Sequence, residues 1–211
     1  ALEASLKRLR TDWVDLYQFH RADPSTPIEE SLGALEELKR AGKIRHVGCS
    51  QFSPAQIREA AGAAKKMGVP GIMTAQNHYN LLKRDMEDDF IPALRESGMG
   101  FIPFYPLAGG LLTGKYTRDS APEGSRFHKP REQEKRALGD NPWPALEKLE
   151  KFCAARGCSM LQLAVNWLLA KPELASVIAG ATRPAQIEQN VKAVGWKLTA
   201  ADLAEIDRLT Q

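Results

Sequence analysis

Short apolar, β-branched runs alternate along this chain with longer stretches in which apolar residues recur about every 3.6 positions. The strand-like runs fall at residues 13–19, 44–49, 72–75, 100–104 and 175–179. The stretches between them carry helix punctuation. Thr26-Pro27-Ile28-Glu29 has the spacing of a capping box with proline at the first helical position. Leu32, Leu35 and Leu38 then share a face, and Gly42 ends the helix. Ser53-Pro54-Ala55-Gln56 repeats the start signal. Alternation of this kind predicts βαβ units, hence a parallel sheet covered by helices.

The spacing breaks once. Residues 105–141 turn to Gly, Pro, Arg, Lys and Glu without a clear period, and a loop that long inside a compact domain is usually a lid or a binding segment. Helices are expected over 144–156 and 159–170, with Leu161, Leu163, Val165, Trp167 and Leu168 making a buried surface. A last helix starts at Thr199-Ala200-Ala201-Asp202 and places Leu203, Ile206 and Leu209 on one side. A (β/α)8 barrel has eight strands in about 250 residues. Five strand-like runs in 211 residues fit either an open parallel sheet or the later part of such a barrel.

Composition narrows the classes of function. With 43% hydrophobic and 26% charged residues the chain buries a core. Lys and Arg number 29 against 26 Asp and Glu, and the signs alternate, leaving +3 without the basic stripe that nucleic acid or a membrane surface would call for. Neither is expected as a partner. Cys49, Cys153 and Cys158 match no zinc spacing and no disulfide framework, which predicts reduced thiols, no metal site and a cytoplasmic setting. No apolar run approaches the roughly 20 residues of a membrane span.

The candidate chemistry sits at strand ends, where parallel α/β proteins bind ligands. His20 closes the first strand; the residues alone leave it either a donor to a substrate oxygen or a loop histidine satisfied by backbone. Ser50 and Gln51 end the second strand, and Gln76-Asn77 the third. Such side chains fix a planar carboxamide, and they also cap helices. The run Phe104-Tyr105-Pro106-Leu107-Ala108-Gly109-Gly110-Leu111-Leu112-Thr113-Gly114-Lys115-Tyr116 joins an aromatic pair, glycines that admit a phosphate, and a cation. It approaches a P-loop, but Tyr116 stands where that motif has Ser or Thr, so nucleoside triphosphate binding is weakly supported. Gly180-Ala181-Thr182-Arg183-Pro184 opens a helix through Gln186, Gln189 and Asn190, which reads as an anion seat on free helix amides or as an ordinary capped turn. Together these segments suggest a dinucleotide spread across the sheet.

Residues 15–20, 42–50, 106–116 and 180–190, in this order and at these separations, resemble the aldo-keto reductases, in particular the bacterial branch that includes the potassium-channel β subunits. The resemblance covers essentially the whole chain. It implies an incomplete (β/α)8 TIM barrel, about strands 4 to 8 with their helices. Residues 1–211 would be the C-terminal portion of a single aldo-keto reductase domain lacking the first three βα units. The implied activity is NADP(H)-dependent reduction of an aldehyde or ketone to an alcohol. By position, His20 is the catalytic histidine, and Ser50, Gln51 and Gln76 hold the nicotinamide carboxamide. Phe104 stacks on the nicotinamide ring. Tyr105, Pro106, Leu107, Gly109, Gly110, Lys115 and Arg126 line or close over the pyrophosphate. Gly180, Thr182, Gln186, Gln189 and Asn190 grip the adenosine end, with Arg183 beside the 2′-phosphate. Two departures stand out: Phe104-Tyr105 replaces the family's Tyr-Ser, and Gln51 replaces Asn or Arg. The family's catalytic Asp, Tyr and Lys belong to the three missing units, so the fragment is not expected to turn over alone. A non-catalytic nicotinamide-nucleotide-binding or interaction module is the alternative.

Overall fold

Parallel pairing organises the first part of the chain. In the computed structural model, which describes residues 1–128 and 141–210, the chain divides into two compact units: Ala1–Asn77 with Met86–Ile102, and His78–Asp85 with Pro103–Gln211. Residues 129–140 of the glycine- and proline-rich stretch lie outside the described residues.

In the first unit β1 (Val14–Phe19), β2 (Ile44–Ser50), β3 (Ile72–Gln76) and β4 (Gly100–Phe101) form a parallel sheet in the order β1-β2-β3-β4. Helices α1 (Leu2–Leu9), α2 (Ile28–Arg40), α3 (Pro54–Met67) and α4 (Phe90–Glu96) complete this unit. The sheet is not closed among the described residues. Register sets its two faces. Phe19, Cys49, Ala75 and Phe101 lie side by side, and the last three are at most 1% exposed. The alternate row is Gln18, Gly48, Thr74 and Gly100. Helix α3 buries Ile57, Ala60, Ala63 and Ala64, and small side chains let a helix approach closely.

Two sequence expectations need correcting here. Thr26 does not cap α2, because its hydroxyl donates to the Asp23 carboxylate at 3.1 Å, which also accepts from the Ser25 N–H at 2.9 Å. That turn holds the Asp23 carboxyl below its ordinary range, chiefly through the Ser25 hydroxyl, and leaves Pro27 as the N-cap. By contrast, Ser53 and Gln56 make the expected reciprocal cap of α3. The second correction concerns strands. The fourth runs only over Gly100–Phe101, since Pro103 has no N–H to donate and Phe104 pairs with His78 instead. The expected fifth strand at 175–179 forms no ladder among the described residues; Ile178 N–H reaches the Pro103 carbonyl at 3.4 Å.

The second unit holds a 3₁₀ helix (Ala108–Thr113) and helices α5 (Trp143–Arg156), α6 (Met160–Leu169), α7 (Pro184–Lys192) and α8 (Ala200–Thr210). Its core contains Tyr79, Leu112, Leu149, Leu163, Trp167, Leu168 and Ile206, all under 2% exposed. Thr199 and Asp202 cap α8 reciprocally, and Arg156 of α5 pairs with Asp202 and Glu205 at 2.7 Å each. The Thr199 hydroxyl foremost, then its N–H and Arg156, draws the Asp202 carboxyl down to about 2. This contribution is present above the ordinary carboxylate range and is lost as pH falls toward that value. Helix α7 buries no residue. It is tied down beyond its end by Asn166 of α6, whose amide donates to the Ala193 carbonyl at 2.7 Å and accepts from Gly195 N–H at 3.1 Å.

All three cysteines are free thiols. Among the described residues no helix is long and apolar enough to cross a membrane, and no cluster of three His, Cys, Asp or Glu side chains could hold a metal ion.

Gly48 is the tightest point of the sheet: a Cβ there would stand 2.7 Å from Thr74 Oγ1 and 2.8 Å from Gln18 Cγ. Gly48→Ala is therefore expected to lower stability by about 1–3 kcal/mol in urea unfolding. Adding Thr74→Ala should recover part of that loss.

Candidate functional site

At the carboxyl ends of the strands the backbone must leave the sheet, and its polar groups there need new partners. In the first unit His20 follows β1 as an exposed side chain, its carbonyl 3.5 Å from Gln51 Nε2. Ser50, 5% exposed at the end of β2, donates its hydroxyl to the Gln76 carbonyl at 3.0 Å, leaving its lone pairs free to accept. Gln51 takes a left-handed conformation, φ 57°. Its N–H is shared between the Gln76 carbonyl at 3.0 Å and Asn77 Oδ1 at 2.8 Å. Asn77 is oriented in turn by its Nδ2, which donates to the Phe52 carbonyl at 3.2 Å. The Gln51 side chain is exposed and that of Gln76 half-buried, so two carboxamides and an accepting hydroxyl stand at neighbouring strand ends. Two register positions back along the sheet, Gln18 Oε1 and Thr74 Oγ1 are buried without a partner among the described residues.

In the second unit Phe104, Tyr105 and His78 form an aromatic cluster. His78 lies 5.5 Å from Phe104 at 21° and 5.3 Å from Tyr105 at 62°. Tyr105, φ 55°, presents an exposed ring, while Pro106 is buried and Leu107 half-buried. The 3₁₀ helix that follows is kinked at Gly109, φ 67°, and Gly110, φ 108°. Here glycine is needed twice over. A Cβ on Gly109 would meet Phe127 Cζ at 3.1 Å and Arg126 Cδ at 3.5 Å; one on Gly110 would meet Lys115 Cε at 3.2 Å and Nζ at 3.3 Å. Lys115 and Arg126 are thus brought against the two glycines, with the Arg126 guanidinium also 5.8 Å from the Tyr105 ring centre. Two cations gathered over a stretch without side chains make an arrangement that takes an anion, and the charge must come from Lys115 and Arg126 because the Gly110 N–H is spent on the Leu107 carbonyl at 2.8 Å.

This geometry removes the P-loop reading. A phosphate loop opens an α-helix, whereas here the glycines lie inside a 3₁₀ turn and Lys115 leads to a buried Tyr116 and then to the Thr117–Ser120 turn. The free amides expected at the start of α7 are likewise occupied. Gln186 Oε1 accepts from Thr182 N–H at 2.6 Å, Thr182 Oγ1 at 3.1 Å and Arg183 N–H at 3.2 Å. Gly180, Arg183 and Gln189 are exposed there and Asn190 half-buried.

Sequence reasoning singled out neither His78 nor Asn80, and it named Asn77 at the end of the third strand without giving it a place in the nucleotide site. Asn80 is 1% exposed, donates to the Tyr105 carbonyl at 2.8 Å and accepts from Leu82 N–H at 2.9 Å. The readable signal was Asn80 two residues before Leu82, the spacing of an Asx turn.

The aldo/keto reductase family model matches residues 1–211, and the chain belongs to that family. Membership implies an α/β barrel. The chain is 39% identical to a probable voltage-gated potassium channel subunit beta of Arabidopsis thaliana, over 99% of its own length and 65% of that protein's. It is 36% identical to an L-glyceraldehyde 3-phosphate reductase of Escherichia coli (strain K12), covering 99% of the chain and 61% of the relative. It is 37% identical to the aldo-keto reductase YhdN of Bacillus subtilis, covering 100% and 62%. It therefore spans about three-fifths of the length of the curated relatives it matches.

Removing the Asn77 amide strips an acceptor from the left-handed Gln51 N–H and a donor from the Phe52 carbonyl. Asn77→Ala is expected to cost about 1–3 kcal/mol in urea unfolding. Gln51→Gly should instead raise stability by up to about 1 kcal/mol, because glycine bears φ > 0 without a Cβ clash.

Proposed function

We propose that these residues are the nucleotide-binding, carbonyl-orienting part of an oxidoreductase that uses NADP(H) to reduce aldehydes or ketones to alcohols. The observation that carries this reading is the pair of positive-φ glycines, Gly109 and Gly110, with Arg126 and Lys115 packed against them. The donor chemistry fits a nicotinamide dinucleotide. Lys115 and Arg126 would supply the charge for the pyrophosphate, Tyr105, Pro106, Leu107, Gly109 and Gly110 would line or close over it, and Phe104 offers a ring face. Ser50, Gln51 and Gln76 have the acceptors and donors for a carboxamide. Gly180, Thr182, Gln186, Gln189 and Asn190 would hold the adenosine end, with Arg183 exposed for a 2′-phosphate. Bound NADPH supplies the hydride. His20 would donate a hydrogen bond to the substrate carbonyl oxygen and orient it; it is the only one of these residues assigned to the reacting group.

On this reading the chain is the later portion of a single barrel domain, and turnover is a property of the whole reductase with its Asp, Tyr and Lys. The substrate is a small carbonyl compound, nucleic acid is not a partner, and the setting is cytoplasmic. A non-catalytic nucleotide-binding or interaction module is the second reading, favoured by the 39% identity to a protein named as a probable channel subunit.

Fluorescence titration of the chain with NADPH should saturate, and magnesium ATP should not compete; ATP binding without NADPH binding would overturn the proposal. Arg183→Ala should weaken NADPH by about 10-fold or more, the scale of one charge-assisted hydrogen bond, with little change for NADH. In the whole reductase, His20→Ala should lower kcat by about 10²–10⁴. An unchanged rate would favour the binding-module reading.

A further inference from the structure

The Asn80 amide has one orientation open to it. Its Oδ1 accepts from Leu82 N–H at 2.9 Å, so its NH2 group faces away from Leu82. One hydrogen goes to the Tyr105 carbonyl at 2.8 Å and the other points to His78 Nε2 at 3.2 Å. An amide nitrogen offers hydrogens and no lone pair, so His78 Nε2 must be the acceptor. The imidazole is therefore neutral with its proton on Nδ1. Its ring backs Phe104 in a near-parallel stack at 5.5 Å, and Tyr105, whose carbonyl Asn80 holds, stands at φ 55°.

We propose that His78, in this neutral Nδ1-protonated form, is a positioning residue for the Phe104–Tyr105 platform. The proposal rests on the nucleotide reading above, in which Phe104 faces the nicotinamide. Protonating His78 would set its Nε2–H against the Asn80 N–H. Asn80 has no way to turn, because Leu82 holds its oxygen and Tyr105 its other hydrogen. The conflict falls on the Tyr105 carbonyl and on the stack, so the platform loosens.

The surroundings favour the neutral form. Burial foremost, then Lys83, pushes the His78 pKa below its ordinary value, and Asp85 opposes them. Lys83 and Asp85 are themselves paired at 2.8 Å. On the other side stand the Tyr105 phenol and Arg126, whose guanidinium is 5.8 Å from the Tyr105 ring centre. The sign follows: the platform is intact above the ordinary histidine range and is lost as pH falls through the lowered value.

Two measurements test this. In ¹⁵N-histidine NMR of the unliganded chain at pH 7.5, His78 should show a bare Nε2 and a protonated Nδ1. The opposite tautomer or a cation overturns the proposal. NADPH titration from pH 7.5 down to 5.0 should show wild type losing a few-fold more affinity than His78→Phe, with the excess growing as pH falls below the ordinary histidine range. Phenylalanine keeps the stack without the acceptor, and the titration of the ligand's own phosphate is common to both proteins. Equal pH slopes overturn the proposal. Absence of binding to both proteins sinks the nucleotide reading, and the nitrogen signature then still judges the His78–Asn80 link by itself.

Discussion

An L residue in the left-handed region costs roughly 1–2 kcal/mol, so it persists only where neighbouring hydrogen bonds hold it. Gln51 in the first compact unit and Tyr105 in the second are such residues, and each is met by an asparagine of its own unit. Asn77 meets the N–H of Gln51, and Asn80 meets the carbonyl of Tyr105. Both asparagines are at most 9% exposed, and each has its amide oriented by a second contact, to the Phe52 carbonyl and the Leu82 N–H respectively. A buried amide with its groups satisfied is a stiff part. Each sets the direction of a neighbouring residue whose own side chain is left free to face a ligand.

Glycine performs a different task. At Gly48 the missing Cβ makes room between Thr74 and Gln18, whose oxygens stay unsatisfied. At Gly109 and Gly110 the space is claimed by Arg126, Phe127 and Lys115, so the cations lie on bare backbone. The first case concerns strand spacing, the second charge. Cations held against peptide groups create a local positive potential without a helix N-terminus, and the start of α7, where Gln186 caps its own helix, does not supply one.

The strands legible in the sequence were those that hydrophobic burial alone determines. β1, β2 and β3 emerge within about two residues of the apolar runs that announce them, because each is completed by neighbours of the same kind. The run at 175–179 has a strand's composition and no ladder among the described residues, since strand formation depends on a partner that composition does not encode. Capping was legible where Ser53 or Thr199 had no competitor and failed at Thr26, where the Asp23 carboxylate is the stronger acceptor. Among the candidate residues, the glycines and Lys115 were readable because their chemistry is local. The roles of Asn77 and Asn80 were not, because the backbone groups they hold, at Gln51 and Tyr105, lie some 25 positions away, and His78 was missed because its ring partners Phe104 and Tyr105 are as distant.

Helix α7 leaves Ile187 58% and Val191 68% exposed and is fastened beyond its end by the Asn166 amide, by the buried Ala193 and by Trp196, whose ring lies 6.4 Å from that of Phe152. The cost of altering this segment is concentrated past the helix, where Asn166, Ala193 and Trp196 make its contacts. Evolution can rewrite the charges along its outer surface with little penalty to folding, while Asn166 has no such latitude.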